Sequence, residues 1–325
     1  MTQTLQEYYL NTMPELHFAL VPECSGDGDR FYRMLPGYGK GSLRQICFND
    51  MFIVLIADYR PRESFERVSE ISQSYLEISQ FETNSSYYRI GGRKMEPVGK
   101  GLCCYINRSK RVYVHCKAGA PVRFTKVIIL KEYYDAFLEK RYGDSYTEAE
   151  QVMGFLSRNP NMPELNLIFQ QIRRCRAAGK AQQIYMEGKI LELLSLAVCN
   201  YEEAEKRNPV PVRLDKKDLR GLRCVTDYME SHLSEYPSIG DLAGIANMST
   251  TRFQMAFRKT YGTTAYGYLK DLRMNRALLL LQDSEYSVQH VAQAVGYGNA
   301  GHFAGVFRKI YGITPGQYRR VQEIK

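Results

Sequence analysis

The sequence contains no apolar run that could cross a bilayer. Its longest such run, Met51 to Ala57, has the length of a strand, whereas a membrane helix needs about 20 apolar residues. The first fifteen residues have no basic flank, no apolar core and no small-residue cleavage site, so we do not expect a secretory signal. These absences exclude integral membrane and exported proteins. We expect a cytoplasmic protein without a membrane partner.

Ligand-spaced cysteines are also missing. The eight cysteines include no C-x-x-C pair, and only Cys103-Cys104 with His115-Cys116 approaches a zinc-ligand pattern. Adjacent cysteines on a strand point to opposite faces, which favours buried reduced thiols over a metal site. The chain has no Gly-rich phosphate loop and no nucleophile set at family spacing. We therefore expect no metal, no cofactor, no catalytic residue and no enzymatic activity.

The N-terminal two-thirds of the 325 residues changes character near Lys131. Residues 1–42 are turn-rich and predict no element, whereas 43–131 contain short β-branched and aromatic runs separated by turns. This spacing predicts an antiparallel β-barrel or sandwich. Helical periodicity follows in 164–178 and 181–205. We therefore expect an α+β multidomain chain, with a domain over 1–206 that suits ligand binding and dimerisation, a Pro-containing linker over 207–216 and an all-α domain over 217–325.

An internal repeat dominates the last third. FQMAFRKTYGTTAYGYLKDLR (253–273) aligns with FAGVFRKIYGITPGQYRR (303–320), and SIGDLAGIA (238–246) aligns with SVQHVAQAV (287–295). In each copy, a capped short helix with a central alanine precedes a turn and a second capped helix, as in a helix-turn-helix motif. The predicted motifs span 238–261 and 287–311, with recognition helices at 250–260 and 300–310.

The geometry and charge of this repeat fit double-stranded DNA. A predicted helix from Ala265 to Leu281 joins the copies and is about 25 Å long. With its flanking turns, it can place two recognition helices about one turn of B-DNA apart. Residues 217–325 contain 14 Lys and Arg against 9 Asp and Glu. An all-α interaction module that never touches DNA is the alternative.

The segment VAQAVGYGNAGHFAGVFRKIYGITPGQYRR (291–320) is similar to the signature of the AraC/XylS family of bacterial transcription regulators. Residues 217–321 resemble that family's DNA-binding domain, and the N-terminal two-thirds resembles the effector domain of its siderophore-regulator branch. The resemblance implies a DNA-binding regulator that responds to a small-molecule effector held by the N-terminal domain. Operator DNA and an effector are the expected partners, with RNA polymerase and a second copy of the chain as further possible partners.

The resemblance also implies which residues meet DNA. Gln254 can pair with adenine through its amide, whereas Arg252, Arg258 and Lys259 are suited to phosphates. Met255 could contact a thymine methyl group or fill a gap. The DNA-contact set on the first recognition helix is Thr250, Thr251, Arg252, Gln254, Met255, Arg258 and Lys259. The set on the second is Asn299, Ala300, Gly301, His302 and Arg308.

The second recognition helix offers small residues to the groove, including Ala304 and Gly305. Small side chains permit close approach to phosphate but supply no hydrogen-bond code. Our hypothesis is that the first helix reads most of the bases and that the second mainly anchors to the backbone. His302 is either a phosphate contact or a surface histidine, while Phe253 and Phe257 are predicted core residues.

Aromatic and basic residues in the β-rich region could bind an anionic aromatic effector, or they could be strand-surface positions. The candidate ligand-binding residues are Tyr87, Tyr88, Arg89, Arg93, Tyr105 and Tyr113. Two alternative functions use the same DNA module: an alkyl-transfer DNA repair enzyme, and a thiol sensor using Cys103, Cys104 or Cys116. The repair branch requires a Pro-Cys-His-Arg nucleophile, whereas Cys116 lies in Val-His-Cys-Lys.

Overall fold

A computed structural model describes residues 5–26, 28–48, 51–133, 140, 149–206 and 214–323. It contains two compact units. The first comprises Met1–Pro160 and Phe169–Leu194, and the second comprises Asn161–Ile168 and Ser195–Lys325. Most of the predicted linker, 207–213, lies outside the described residues, as do 134–139 and 141–148 of the predicted helical region.

The strands of the first unit form two antiparallel sheets. One sheet has the order β1-β2-β3-β4-β11-β6-β9 and the other has the order β5-β10-β7-β8. Their bounds are β1 Phe18–Leu20, β2 Asp29–Met34, β3 Gly39–Phe48, β4 Phe52–Pro61, β5 Phe65–Ser69, β6 Tyr75–Phe81, β7 Ser86–Ile90, β8 Glu96–Pro97, β9 Gly101–Asn107, β10 Val112–Cys116 and β11 Val122–Leu130. Neither strand order closes on itself, so the barrel alternative is wrong.

The larger sheet is buried on both faces at its centre. Strand β4 reads FIVLIADYRP, and such a near-continuous apolar run is typical of a strand covered on both sides. Ile53 and Leu55 enter a core that also contains Cys116 of the smaller sheet. Val54 and Val127 are fully buried outside that core. The two sheets therefore face each other across a shared apolar interior, as in a sandwich.

The described helices are α1 Leu5–Glu15, α2 Ala149–Arg158, α3 Pro163–Arg173, α4 Gly179–Lys206, α5 Lys216–Ser231, α6 Ile239–Ile245, α7 Thr250–Tyr261, α8 Ala265–Leu280, α9 Val288–Ala294, α10 Ala300–Tyr311 and α11 Pro315–Glu323. Short helical turns occupy Pro22–Cys24 and Lys131–Tyr133. None of the helices that the structure describes has both the length and the apolar character needed to span a membrane.

The helix-turn-helix copies of the second unit have separate cores that share α8. Phe253 and Phe257 of α7 are fully buried in the first core, as predicted, together with Leu269 of α8. Phe307 of α10 is buried in the second core together with Leu278 of α8. Because both cores pack on one continuous helix, α8 joins the two copies as the repeat predicts.

Candidate nucleic-acid interface and ligand cavity

The first helix of each helix-turn-helix copy begins at the predicted serine cap. The Ser238 hydroxyl accepts a hydrogen bond from the Asp241 N–H at 3.1 Å, and the Asp241 carboxylate accepts from the Ser238 N–H at 3.0 Å. This capping box satisfies two otherwise unpaired donors. In the second copy, Ser287 accepts from the His290 N–H at 3.1 Å. Both short helices are therefore delimited by local sequence.

The recognition helices have matching ends. Ser249 caps α7 by accepting from the Arg252 N–H, and Asn299 caps α10 by accepting from two N–H groups. Gly262 and Gly312 end these helices in the left-handed conformation at φ 68° and 75°, which glycine adopts without steric cost. The two recognition helices, 50 residues apart in the sequence, are thus structurally equivalent.

The turn between the two helices of each copy also repeats. Asn247 and Gly296 occupy equivalent positions and both have positive φ, at 53° and 82°. After the first of them, the Met248 N–H donates to the Ala243 carbonyl at 2.9 Å, and the equivalent bond in the second copy is 2.8 Å. This pattern closes the end of a helix and redirects the chain. It sets the direction in which each recognition helix follows the first helix of its motif.

The side chains predicted to meet DNA lie on the outer faces of α7 and α10. With one exception, all are exposed to solvent, and the exception, Ala300, is half-buried. Gln254 and Met255 on α7 correspond to Ala304 and Gly305 on α10. The first helix therefore presents long side chains where the second presents almost none. The predicted asymmetry between the two helices remains a prediction, and the exposed positions are compatible with it.

Arg252 has a protein partner that sequence analysis did not anticipate. Its Nη2 atom lies 2.7 Å from the Asp218 carboxylate at the start of α5. Asp218 also accepts from the Asp215 N–H at 3.1 Å in the α5 capping box, and its hydrogen bond with Arg252 lowers the pKa of the Asp218 carboxyl. Arg252 thus ties α7 to α5, and a DNA phosphate would have to share it with Asp218.

Arg273 of α8 links the two helix-turn-helix copies, although the sequence analysis did not single it out. The side chain is buried and donates from Nε to the Leu233 carbonyl at 2.8 Å and from Nη2 to the Glu235 carbonyl at 2.7 Å. Its guanidinium carbon lies 4.2 Å from the Tyr236 ring centre and 5.7 Å from that of Tyr297. Arg273 therefore fixes the loop before α6 against the turn before α10.

The carboxyl of Asp271, also on α8, is predicted to make unfolding pH-dependent. Burial raises its pKa to about 7, Lys270 at 3.5 Å opposes the shift, and Glu164 adds to it. The native state thus holds a proton that the unfolded chain releases near pH 4, so this contribution to the unfolding free energy decreases between pH 4 and 7. A shift of this size corresponds to about 4 kcal/mol. Because the Asp271 side chain is 23% exposed and solvent screens part of the interaction, we expect about half of that.

Asp271→Asn should remove this contribution and stabilise the second unit above pH 7. Urea denaturation of the full chain, followed by circular dichroism at pH 5 and pH 8, measures it. Asp227→Asn, which changes an exposed carboxyl on α5, is the matched control. An equal pH response in the wild type and Asp271→Asn would contradict the prediction.

The first unit contains a cavity of about 160 Å³ between its two sheets. Residues of α1, including Tyr8 and Tyr9, line it together with strand residues from both sheets. Two candidate ligand residues, Tyr88 and Tyr105, line this cavity as well. A ligand-sized space therefore exists in the unit for which the resemblance implies an effector.

The other four ligand candidates lie away from this cavity. Tyr87, Arg89, Arg93 and Tyr113 are absent from its lining. Adjacent strand residues face opposite sides of a sheet, so Tyr88 points inward while its neighbours do not. The Arg89 guanidinium instead stacks on the Tyr113 ring at 3.9 Å. These four residues do not belong to the cavity, because the strand register places them elsewhere.

The charged side chains of the cavity come from positions that the sequence analysis missed. Arg67 on β5, Glu77 on β6 and Lys126 on β11 all line it. Alternation along FERVS could have indicated Arg67, because it shares a strand face with Phe65 and Ser69. That pattern does not show which strands form the opposing sheet, so it could not show which face of β5 lines the cavity.

The cysteines of the β-rich region are buried or half-buried. The Cys116 thiol lies 3.7 Å from the Tyr59 hydroxyl and 3.6 Å from that of Ser86. Burial raises the pKa of the Cys103 thiol to about 11 and that of Cys104 well above its ordinary value. Among the described residues, no three side chains of the metal-ligating types come together. The surroundings of these thiols are therefore those of core residues.

A duplicated helix-turn-helix unit combined with a two-sheet unit that encloses a cavity is the architecture of a two-domain transcription regulator. Residues 40–214 match the family model of the regulatory protein PchR N-terminal domain, and residues 242–321 match a helix-turn-helix domain model. The first match alone covers more than half of the chain. The chain belongs to the AraC/XylS family of regulators, in the branch that carries the PchR-type N-terminal domain.

Individual relatives match mainly over the C-terminal part. The chain is 34% identical over 110 residues to the MmsAB operon regulatory protein of Pseudomonas aeruginosa. This alignment covers 34% of the chain and 35% of that protein. It is 33% identical over 118 residues to the regulatory protein PchR of the same organism, covering 36% and 40%. The alignments thus span well under half the length of these relatives.

The solved structures with similarity include the DNA-binding domain of AdpA, a global transcriptional factor, in complex with a target DNA. It is 33% identical, covers 31% of this chain and 91% of that chain, and has a TM-score of 0.30.

Proposed function

We propose that the chain is a sequence-specific DNA-binding transcription regulator controlled by a small-molecule effector. In this proposal, residues 217–325 bind operator DNA, with α7 and α10 in successive major grooves. Residues 1–206 hold the effector and contribute to dimerisation. The location is cytoplasmic, where operator DNA is accessible.

The repeated capping and turn geometry of the second unit carries this proposal. The two equivalent helices α7 and α10 each follow a hydrogen-bonded turn and expose one face to solvent. Helix α8 contributes residues to the hydrophobic cores of both motifs and so joins them. At 16 residues, α8 is about 24 Å long. With the flanking turns, this length suits two recognition helices spaced by about one turn of B-DNA. An interaction module without DNA contact would not need this spacing.

The two recognition helices are assigned different roles. Gln254 and Met255 on α7 offer an amide and a flexible apolar group to base edges, and Arg258 lies in the last turn beside Lys259. Helix α10 offers small residues and the Asn299 cap region, which permit close approach to a phosphate. We therefore assign base readout mainly to α7 and backbone anchoring mainly to α10.

Selection of binding sites from random DNA by the purified full chain tests the proposal. We expect a bipartite site, with more sequence information in the half that contacts α7. Scrambling that half should weaken binding far more than scrambling the other. Equal losses from both halves would contradict the assignment of roles, and the recovery of no preferred site would contradict the proposed function.

Gln254→Ala and Arg258→Ala are predicted to affect DNA binding differently. Loss of Gln254 should relax discrimination at one base pair by about 1–3 kcal/mol. Loss of Arg258 should weaken binding to all sequences and flatten the salt dependence, because one counterion-releasing contact disappears. Fluorescence anisotropy on the selected site and its single-base variants, at several salt concentrations, measures both effects. The two variants serve as controls for each other, and a uniform loss in Gln254→Ala would contradict its role.

The two alternative functions have little support in the thiol environments. Alkyl transfer needs a nucleophile that DNA can reach, whereas Cys116 is only 2% exposed and lies inside the sheet sandwich. A thiol sensor needs a thiolate, and burial favours the neutral thiols of Cys103 and Cys104. We therefore favour control by a bound effector over control by oxidation.

A further inference from the structure

The charges that line the cavity of the first unit do not balance. The Lys126 ammonium group lies 2.7 Å from the Glu77 carboxylate, and both side chains are largely buried. Arg67, by contrast, forms no ion pair with any described residue. Its guanidinium carbon lies 5.7 Å and 5.9 Å from the ring centres of Tyr8 and Tyr9. Arg67 and Lys126 both act on the Glu77 carboxylate and lower its pKa, and Glu77 is the single acidic residue of the lining. The lining therefore has one net positive charge, an arrangement that favours an anion.

A second, independent feature of the cavity is an unsatisfied hydroxyl. Tyr8 of α1 is 5% exposed, and its hydroxyl group has no hydrogen-bond partner among the described residues. Buried hydroxyl groups are normally hydrogen-bonded, because leaving one unpaired costs free energy. Tyr8 lines the same cavity as Arg67. A ligand with acceptor oxygens would satisfy both groups, and a carboxylate supplies two such oxygens.

The remaining lining and the volume of the cavity limit the polarity and the size of the ligand. Most of its lining is aromatic or aliphatic, with Tyr59, Phe65 and Phe124 among the rings. Its volume of about 160 Å³ is close to that of an apolar cavity of about 150 Å³ known to hold benzene in another protein. A sugar would leave most of its hydroxyl groups against apolar walls, at a cost in free energy.

We infer that this cavity binds a small ring-bearing monocarboxylate, of the size and charge of benzoate. The carboxylate accepts from Arg67 and from the Tyr8 hydroxyl, and the ring lies among the aromatic side chains between the sheets. This assignment rests on the proposed control by an effector, since it names the chemical class of that effector and the residues that recognise it.

Isothermal titration calorimetry of the full chain with benzoate tests the assignment. Benzamide, which has the same shape without the charge, is the matched ligand control. We expect benzoate to bind at least about tenfold more tightly than benzamide, because the charge-assisted bond to Arg67 is lost with the amide. Absence of benzoate binding at millimolar concentration, or equal affinity for the two ligands, would overturn the inference.

Two variants identify the recognition groups. Arg67→Gln should weaken benzoate binding at least about tenfold and reduce the preference over benzamide, and Tyr8→Phe should weaken it about threefold or more. Arg89→Gln and Tyr113→Phe are matched controls, since they change the same residue types outside the cavity. Tyr8→Phe removes only one oxygen atom, so it keeps the test valid if Arg67→Gln fails to fold. Benzoate affinities unchanged in Tyr8→Phe, and in Arg67→Gln where it folds, would refute the assignment.

A parallel measurement of DNA binding separates the two proposals. If the wild type selects a bipartite DNA site but binds no benzoate, the ligand class is wrong and the regulator assignment stands. If it binds benzoate through Arg67 and Tyr8 but selects no DNA site, the cavity assignment stands and the proposed function fails.

Discussion

Arg273→Met is expected to lose about 3 kcal/mol of stability in the second unit and most of its affinity for operator DNA. The methionine keeps the apolar stem but leaves the carbonyls of Leu233 and Glu235 without their donors at 2.8 Å and 2.7 Å. It also removes the cation from the faces of Tyr236 and Tyr297. The loop before α6 and the turn before α10 then lose their common anchor.

The effect on DNA binding should exceed the effect expected from stability alone. Two recognition helices bind one duplex only when their separation matches the groove spacing, and Arg273 fixes one motif against the other. Urea denaturation and fluorescence anisotropy on the selected site measure the two effects in the same preparation. Arg276→Met, on an exposed position of α8, is the matched control. Wild-type stability and wild-type affinity in Arg273→Met would show that Arg273 is not the anchor.

Gly296→Ala is expected to destabilise the second unit by about 3 kcal/mol. Gly296 has φ 82° in the turn before α10, a conformation that costs a residue with a Cβ atom about 1–2 kcal/mol. The added Cβ would also lie 2.7 Å from the Leu233 carbonyl oxygen and 2.9 Å from an Arg273 nitrogen. The substitution therefore combines backbone strain with a clash against the Arg273 anchor.

Gly312→Ala separates these two causes. Gly312 has a similar φ of 75°, and an added Cβ would meet no atom within 4 Å. It should therefore lose only the about 1–2 kcal/mol that comes from strain. Thermal denaturation of both variants as full chains gives the comparison. Equal losses at the two positions would mean that the clash with the Leu233 carbonyl is relieved by movement.

The helix-turn-helix unit was predictable because its signals are local. A cap such as Ser238 with Asp241, or a terminal glycine such as Gly262, acts within one turn of helix and can be read directly from neighbouring residues. The repeat supplied the same information twice. The fully buried Phe253 and Phe307 follow from the same periodicity. Helix bounds and core faces of this unit therefore agree closely with the prediction.

The first unit was less predictable because its order depends on distant pairing. Residues 1–42 predicted no element, yet they contain α1 and two strands, and β1 is only three residues long. Such a short strand is stabilised by its partner, since Phe18 pairs with Met34. The choice between a barrel and a sandwich likewise depended on which strands pair at the sheet edges, and no local signal encodes that choice.

The ligand candidates show the same limit at the level of single residues. Tyr88 lies inside the cavity and Tyr87 outside it, although both are tyrosines in one strand. No motif in the sequence around Arg67 marks it as a ligand-binding residue, yet it supplies the net positive charge of the cavity lining. The alternation of faces was readable, but which face becomes interior is decided by the opposing sheet.

By itself, the sequence determined the duplicated motif, its caps, its joining helix and the family to which the chain belongs, because these depend on interactions within a few residues. Only the tertiary structure decided that Arg252 pairs with Asp218, that Arg273 anchors both motifs, and that Arg67 faces a cavity beside Tyr8. Each of these arrangements joins residues more than 20 positions apart. Their proximity results from the packing of whole elements, which no short stretch of chain specifies.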